Sequence, residues 1–466
     1  MKLLRMPQTA PVYWWLKWGV SMNGLRLEKE YFRKNPEHPH KAMFGLPDEI
    51  SSISDIKVVI PNELLKKYKL TDHDNFRDSL EDKSHISMSE IGEENSYFIQ
   101  PAVHVLNNPF LQEHKKVLDF AEECVNSVLK NPVIKTKNDL RLNINNVPLR
   151  VNVARGIAGD IISLRLLPTS VPFAEYMVMP FGWYEMMMHE KNHQGGLYLF
   201  AAVNGSGKST TMGAIFASLL NMYGGEGVTV EDPCELPLDG RIGENGICRQ
   251  TEISANKTFA DASKDVARMF SATHNYLMLG EIRDPETAMS AINYSVRGIK
   301  VFATIHADTP QAVLSNLLGQ ISTLPGQSIN LARDAVANSI RFIACQGLEV
   351  NPGGKGVWGK RRIVGDILYN PLGMTDLRVR NAIKDEKMTG VAELMSQQSH
   401  KLRIALENYQ RNVSNAGQSE QVFDLNNETE KDDGFTAIDF LTEEQAQLRK
   451  AAFDKYFFDE WAKGNN

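Results

Sequence analysis

A chain of 466 residues is too long for one hydrophobic core and implies two or three domains. Its hydrophobic fraction of 42% and charged fraction of 23% are those of an ordinary soluble protein. A net charge of −6 with a pI near 6.0, and no lysine/arginine cluster with interleaved aromatics, argue against a general attraction to nucleic acid.

The four cysteines, Cys124, Cys234, Cys248 and Cys345, include no C-x-x-C pair. They indicate neither a disulfide framework nor a four-cysteine zinc site and suit a reducing cytoplasm. No run of about 18 apolar residues is present, so no membrane span is expected. The opening MKLLRMPQTAPVYWWLKWGV is broken by Pro7 and Pro11 and lacks the continuous apolar core and cleavage site of a signal peptide.

Residues 1–50 read as an irregular extension in which Trp14, Trp15 and Trp18 lie close together. Packing on the first domain and docking to a partner or membrane surface both remain open. Residues 51–170 mix a helix at 114–130 with the alternating strands DLRLNIN, VPLRVNVAR and DIISLRLLP, the pattern of a small α+β domain. Arg150, Arg155 and Arg165 sit on or beside these strands. Solubility accounts for them unless this domain faces a nucleotide.

A proline-bearing connection, TSVPFAEYMVMPFG, leads to a predicted helix, WYEMMMHEKN, ended by Gly195 and Gly196. Its methionines suit core filling. There follows an apolar run, LYLFAAV, then NGSGKST, then a helix-compatible TMGAIFASLLNM. This is the layout of a phosphate-binding loop, in which glycines let backbone N–H groups converge on phosphate oxygens and the helix N-terminus adds its unpaired donors. Asn204, Gly205, Ser206, Gly207, Lys208, Ser209 and Thr210 are the candidate nucleotide-binding residues. Lys208 would reach the β- and γ-phosphates and Ser209 would hold Mg²⁺. Ala202 stands where the pattern has its first glycine, which is acceptable only if that residue avoids positive φ.

Beyond the loop, apolar runs at 227–233, 276–281, 300–306, 339–345 and 363–369 alternate with helical stretches. They predict a parallel α/β sheet with ligands at the carboxyl ends of its strands. Polar residues gather at those ends: Glu231, Asp232 and Glu235 after one strand, Glu281, Arg283 and Asp284 after the next, His306 after a third. Carboxylates on a rigid scaffold near a γ-phosphate are what Mg²⁺ and an attacking water require. Asp284 also reads as the cap of the helix PETAMSAINYSV, with Pro285 at its first position. For His306, a structural role and a γ-phosphate-sensing role are both open.

The loop, then VEDPCE, then LMLGEIRDPETA, then RGIKVFATIHADTP, closely resemble in order and spacing the Walker A, Asp-box, Walker B and His-box motifs of the type II/type IV secretion ATPase superfamily. That superfamily includes pilus-retraction and pilus-assembly motors and conjugation or effector-secretion ATPases. The resemblance covers about Leu149 to Arg380. It implies a RecA-like P-loop domain behind a smaller, PAS-like α+β domain, with ATP and Mg²⁺ as ligands. Lys208 and Ser209 would bind phosphate and metal, Glu281 would be the Walker B carboxylate and a metal ligand, and Glu235 the base, helped by Glu231 and Asp232, with His306 completing the site. Arg150, Arg155 and Arg165 resemble the arginines that reach a neighbouring subunit's ATP. RQTEI (249–253) lacks the arginine that often follows this glutamine, although Arg249 lies nearby. The C-terminal stretch characteristic of retraction motors is only loosely kept at 366–387, and the zinc cysteines of many assembly motors are missing.

From Val413 to Gly434 six acids stand against one lysine, a net of −5, the composition of a flexible acidic linker. Residues 435–466 then return to helical spacing, with Thr442 as N-cap and Leu441, Leu448, Ala452 and Tyr456 on one side. Docking back on the parent domain and binding a partner are both open. The expected organisation is 1–50, 51–170, a RecA-like domain with C-terminal helices at 171–412, the linker 413–434 and the helix 435–466. The expected protein is a cytoplasmic homohexameric motor ATPase, peripheral at the inner membrane, acting on a platform protein of a pilus or secretion machine. A nucleic-acid translocase on the same core and an inactive nucleotide-binding scaffold are the rival readings.

Overall fold

The computed structural model describes residues 53–61, 97–101, 115–131, 133, 138–416 and 435–463, with short breaks at 146, 158, 190–194, 204, 254–258, 269, 271–273, 327, 352–360, 372–376, 386–387, 437 and 439–440. The three tryptophans of the expected extension, and residues 417–434 of the expected linker 413–434, lie outside the described residues.

Alternation of apolar and polar residues builds the first sheet. β1 (Ile53–Pro61) buries Ile56, Val58 and Ile60 and exposes Lys57 between them, as a half-buried strand requires. β2 (Tyr97–Pro101), α1 (Lys115–Lys130), β3 (Asp139–Ile144), β4 (Val147–Arg155) and β5 (Gly159–Leu166) complete the unit, whose five strands run antiparallel in the order β2-β1-β5-β4-β3. On α1 the buried residues Phe120, Ala121, Cys124, Val125, Val128 and Leu129 recur at helical spacing and form one apolar stripe. The β3–β4 hairpin closes through residues 145–146, since Ile144 pairs with Val147. Asn145 takes φ +52° there, a conformation asparagine tolerates better than most residues. That short turn fixes the register of the arginines discussed below.

After β6 (Met179–Pro180) and α2 (Trp183–Met188), the second sheet begins with β7 (Gly196–Ala201). It is followed by α3 (Lys208–Tyr223), β8 (Gly225–Glu231), β9 (Gly240–Ile242), β10 (Gly246–Glu252), α4 (Phe259–Ala267), β11 (Asn275–Leu279), α5 (Pro285–Val296), β12 (Lys300–Ile305), α6 (Pro310–Ser322), α7 (Ile329–Ser339), β13 (Ile340–Val350) and β14 (Arg361–Tyr369). The eight strands lie in the order β14-β13-β7-β12-β11-β8-β10-β9. Every residue of β7 and β12 is buried, as expected of central strands covered on both faces. Period-two alternation sorts them: Tyr198 and Phe200 join the cluster on one face, with Phe216 and Leu220 of α3. Leu197, Leu199 and Ala201 join the other, with helices α5 to α7.

The expected strands are all present, but the sheet is mixed. β13–β14 and β9–β10 pair antiparallel at its two edges, while the six central strands are parallel. A parallel return to β14 would need a crossover of about a dozen residues or more, whereas the 351–360 connector carries Pro352 and glycines 353, 354, 356 and 359. The helix expected from 183 stops at Met188, and Gly196 belongs to β7 rather than to a helix end. His189 leaves α2 with extended dihedrals, and its ring is drawn onto Phe458 at 4.2 Å.

α8 (Leu377–Lys384) and α9 (Met388–Asn415) follow, α9 running past the expected linker boundary at 413. The tail then returns to the parent domain. β15 (Phe435–Thr436) pairs with β6, and α10 (Glu443–Phe453) opens on a Thr442–Gln445 capping box, continues through a π-helical turn at Asp454–Phe458 and ends as α11 (Asp459–Lys463). Arg449 Nε lies 2.5 Å from Glu185 Oε1 in a buried ion pair and stacks over Phe181. Arg378 covers Trp461 at 3.9 Å and donates to its carbonyl. Leu441 and Ala452 are buried against the same core that Leu448 and Tyr456 border, so of the two readings of the tail the structure shows docking. Among the described residues no helix is long and apolar enough to cross a membrane.

Lys300 opens β12 with its side chain 3% exposed and its ammonium 5.0 Å above the Tyr198 ring. Burial pushes its pKa from 10.5 down to about 7. Because the folded state holds the proton less tightly than the unfolded chain, the penalty is absent above 10.5, grows as pH falls and is complete below 7. Lys300→Met is expected to stabilise the fold by about 2–4 kcal/mol near neutrality and by much less near pH 10. Urea unfolding across that range checks it, and a gain independent of pH would contradict it.

Candidate functional site

β7 stops at Ala201 and the chain turns through 202–207 into α3, which starts at Lys208. Gly205 and Gly207 hold φ of +78° and +79°, where any side chain would be strained. Among the described residues Asn145 is the one non-glycine residue at positive φ, so Ala202 has an ordinary backbone and its Cβ is tolerated. Asn204 lies outside the described residues.

Lys208 Nζ donates to the carbonyls of Ala202 at 2.8 Å and Val203 at 3.2 Å, and Ser206 Oγ donates to Val203 O at 2.7 Å. Ser209 and Thr210 stand half-buried in the first turn of α3. That helix has no side-chain cap, so its first amides and the positive end of its dipole are left for an anion. Burial lowers the Lys208 pKa while the charges of Glu281 and Glu235 oppose it, which places both carboxylates within electrostatic reach of the ammonium.

Glu281 follows β11. Its Oε2 accepts from Arg283 Nε at 2.7 Å and pairs with Arg283 NH2 at 2.6 Å, and its Oε1 lies 3.0 Å from His306 Nε2, just past the end of β12. Thr304 Oγ1 donates to Gly280 O at 2.5 Å, pinning the two strand ends side by side. Asp284 turns away from this group: it accepts from Thr287 N at 2.7 Å and caps α5, with Pro285 first in the helix.

The turn after β8 is organised by a buried carboxylate and an amide. Glu231 accepts from Thr229 Oγ1 at 2.6 Å and from Gln250 Nε2 at 2.9 Å, and also from the backbone N–H of Glu235. Burial pushes its carboxyl up, against those bonds. Gln250 of β10 further donates to Leu236 O and accepts from Leu238 N and Asp239 N. Glu231 therefore shapes the turn, and the half-exposed Glu235 is the carboxylate the turn presents.

Glu235 meets the first sheet. Arg150 NH1 donates to Glu235 Oε1 at 2.5 Å, while its Nε and NH2 grip Asp139 at 3.0 and 2.6 Å. Across the hairpin ladder Arg141 pairs with Arg150 and donates to Cys234 O at 3.2 Å, and on the other side Arg150 pairs with Arg165, which is exposed. Three arginines thus form one cross-strand row. Arg155 stands outside it, paired with Asp160, and only its backbone is described.

The structure brings Lys208, Glu235, Glu281, His306 and Arg150 together. Asp139, Arg141 and Gln346 were missed by sequence reasoning, and Gln250 was met only as the glutamine of RQTEI, with no role assigned. Arg141 was discoverable, since a two-residue turn at 145–146 sets it opposite Arg150. Gln346 carries no local signal. The donor set fits a nucleotide phosphate: an uncapped helix N-terminus, a lysine and two positive-φ glycines. Ser209 and Glu281 are the oxygen-bearing residues that could hold Mg²⁺, which usually takes one or two protein ligands beside phosphates and water. Among the described residues no group of three or more His, Cys, Asp or Glu could hold a metal.

A family model described as "Type II/IV secretion system protein" matches residues 134–443. The uncharacterized protein YggR of Escherichia coli is 30% identical over 194 residues, 41% of this chain and 56% of that one. Competence protein ComGA of Streptococcus pneumoniae is 35% identical over 127 residues, 27% and 37% of the two chains. A twitching motility protein of Neisseria gonorrhoeae is 24% identical over 247 residues, 53% and 60%. The chain therefore spans between 37% and 60% of the length of these relatives. The solved pilus retraction motor PilT with bound ADP superposes with a TM-score of 0.50 at 20% identity, over 85% of this chain and 93% of that one, a likeness of fold.

Gln250→Leu removes every bond that holds Glu231 to the turn 236–239. The substitution is expected to destabilise the fold by about 1–3 kcal/mol, because the buried Glu231 carboxylate loses one of its donors and Asp239 N loses its acceptor. An unchanged urea unfolding midpoint would contradict this account of the turn.

Proposed function

The chain belongs to the type II/IV secretion system protein family, and from that premise we propose that it is an ATP-hydrolysing motor of a pilus or secretion machine. It would use a RecA-like P-loop domain behind a PAS-like N-terminal domain. The observation that carries the reading is that Lys208, Glu281 and Glu235 come from the segments that follow β7, β11 and β8, at the carboxyl ends of these parallel strands.

In this reading the amides of the Gly205–Ser209 turn and Lys208 Nζ hold the β- and γ-phosphates, Lys208 exchanging the carbonyls of Ala202 and Val203 for phosphate oxygens. Ser209 and Glu281 hold Mg²⁺, which when bound would offset phosphoryl charge. His306, whose Nε2 lies 3.0 Å from Glu281 Oε1, holds that carboxylate and faces the γ-phosphate side. Glu235 takes the proton of the attacking water. For that it gives up its bond to Arg150, whose grip on Asp139 keeps the guanidinium in place with NH1 available for a phosphate.

Arg165, and Arg155 at the far end of β4, would serve a neighbouring subunit's nucleotide in a homohexameric ring. Movement of the first sheet against the second, across the Arg150 and Arg141 contacts, is the stroke. The ring would work in the cytoplasm, against a platform protein at the inner membrane.

Phosphate release measured by malachite green tests the chemistry. The wild-type chain with ATP and Mg²⁺ is expected to release phosphate without stimulation by DNA. Lys208→Ala is expected to release none. Glu281→Gln and Glu235→Gln are expected to retain ATP binding and turn over at least about a hundredfold more slowly. Full hydrolysis by the lysine variant would end the reading, and strong stimulation by DNA would replace it with a nucleic-acid translocase.

A further inference from the structure

β13 outruns β7. The parallel ladder between them ends at Cys345↔Ala201, where β7 gives way to the phosphate loop, but β13 continues to Val350, paired only with β14 on its other edge. The edge that has lost its partner strand lies against the loop. Gln346 and Leu348, two residues apart and so on the same face, supply the contacts. Gln346 Nε2 donates to Ser206 O at 2.8 Å, and Leu348 Cδ1 would stand 3.0 Å from a Cβ at Gly207.

Gln346 is 5% exposed, yet its Oε1 has no hydrogen-bond partner. A buried acceptor left unpaired is a cost that an apolar side chain of similar volume would avoid. The amide is therefore poorly explained by packing alone. Its one bond is to the carbonyl of the residue before Gly207, and the planar trans peptide points C=O and N–H in opposite directions. Holding Ser206 O toward β13 turns the Gly207 N–H the other way, to the side where the uncapped end of α3 opens.

We propose that Gln346 is a positioning residue of the nucleotide site: by clamping Ser206 O it presets the Gly207 amide for a phosphate oxygen. The inference rests on the phosphate-loop reading above. Its signature differs from that of a core residue, because the clamp needs a donor on residue 346 and nothing else. A glutamate there repels Ser206 O when ionised and restores the bond when protonated.

Binding of Mg²⁺ and a methylanthraniloyl-labelled ATP is measured for wild type, Gln346→Leu, Gln346→Glu and Lys208→Ala between about pH 5.5 and pH 8.5, with urea unfolding of each. Gln346→Leu is expected to bind about tenfold more weakly than wild type at every pH. Gln346→Glu is expected to be at least as weak at high pH and to approach wild type as pH falls, its unfolding midpoint approaching that of wild type over the same range as the buried carboxyl protonates. If the leucine variant does not fold, the pH-dependent recovery of the glutamate variant decides. Wild-type affinity in Gln346→Leu, or a Gln346→Glu affinity that keeps a constant ratio to wild type across the pH range, would overturn the inference while Lys208→Ala still abolishes binding. Failure of the wild-type chain to bind would overturn the phosphate-loop reading and this inference together.

Discussion

The grip of Arg150 on two carboxylates from two different sheets is the contact around which the site is arranged. Asp139 lies two residues before Arg141 on the neighbouring strand, and Glu235 lies on the turn after β8. Three arginines in one cross-strand row repel one another, and the arrangement is tenable because Asp139 and Glu235 offset that charge. The bonds to Asp139 hold the guanidinium pKa above its already high ordinary value, so the charge is permanent. A fixed cation with one N–H on Glu235 couples the state of that carboxylate to the position of the N-terminal sheet. Arg141, bonded to the carbonyl of Cys234, reinforces the same junction one residue away.

A second constraint is the mismatch in length between β7 and β13. Where a central strand ends early, its neighbour's edge would face unpaired backbone. Here that space is filled by a loop whose carbonyls at 202, 203 and 206 are all satisfied from within the chain. Lysine, serine and glutamine side chains do this work, so the turn is specified by polar bonds as well as by its two positive-φ glycines. It also explains why Ala202 is harmless: the residue sits at the end of the strand, before the chain needs any unusual dihedral.

Much of the fold was legible because its signals are local. Apolar runs marked β7, β8, β11 and β12. Pro285 behind Asp284 marked the start of α5, and Thr442 marked that of α10. The carboxylates were legible because they follow directly on those runs. What escaped depends on partners distant in sequence. Gln250 earns its place through Glu231 and the backbone of residues 236–239, and Gln346 through a carbonyl 140 residues earlier. The antiparallel edges escaped because an apolar run does not state its direction. The length of α2 escaped because helix propensity continued past Met188, while the stacking of His189 on Phe458 belongs to a tail that returns from the far end of the chain.

The central claim is that the turn before α3 and the carboxylates at the ends of β8 and β11 form one nucleotide site that the first sheet closes through Arg150. A crystal structure of the chain with Mg²⁺ and a non-hydrolysable ATP analogue tests this most directly. The expected result has the phosphates on the amides of the Gly205–Ser209 turn, with Lys208 Nζ moved from Ala202 O to a phosphate oxygen and Glu281 and Glu235 flanking the γ-phosphate. Phosphates bound elsewhere, with Lys208 still on Ala202 O and Arg150 still on Glu235, would contradict it.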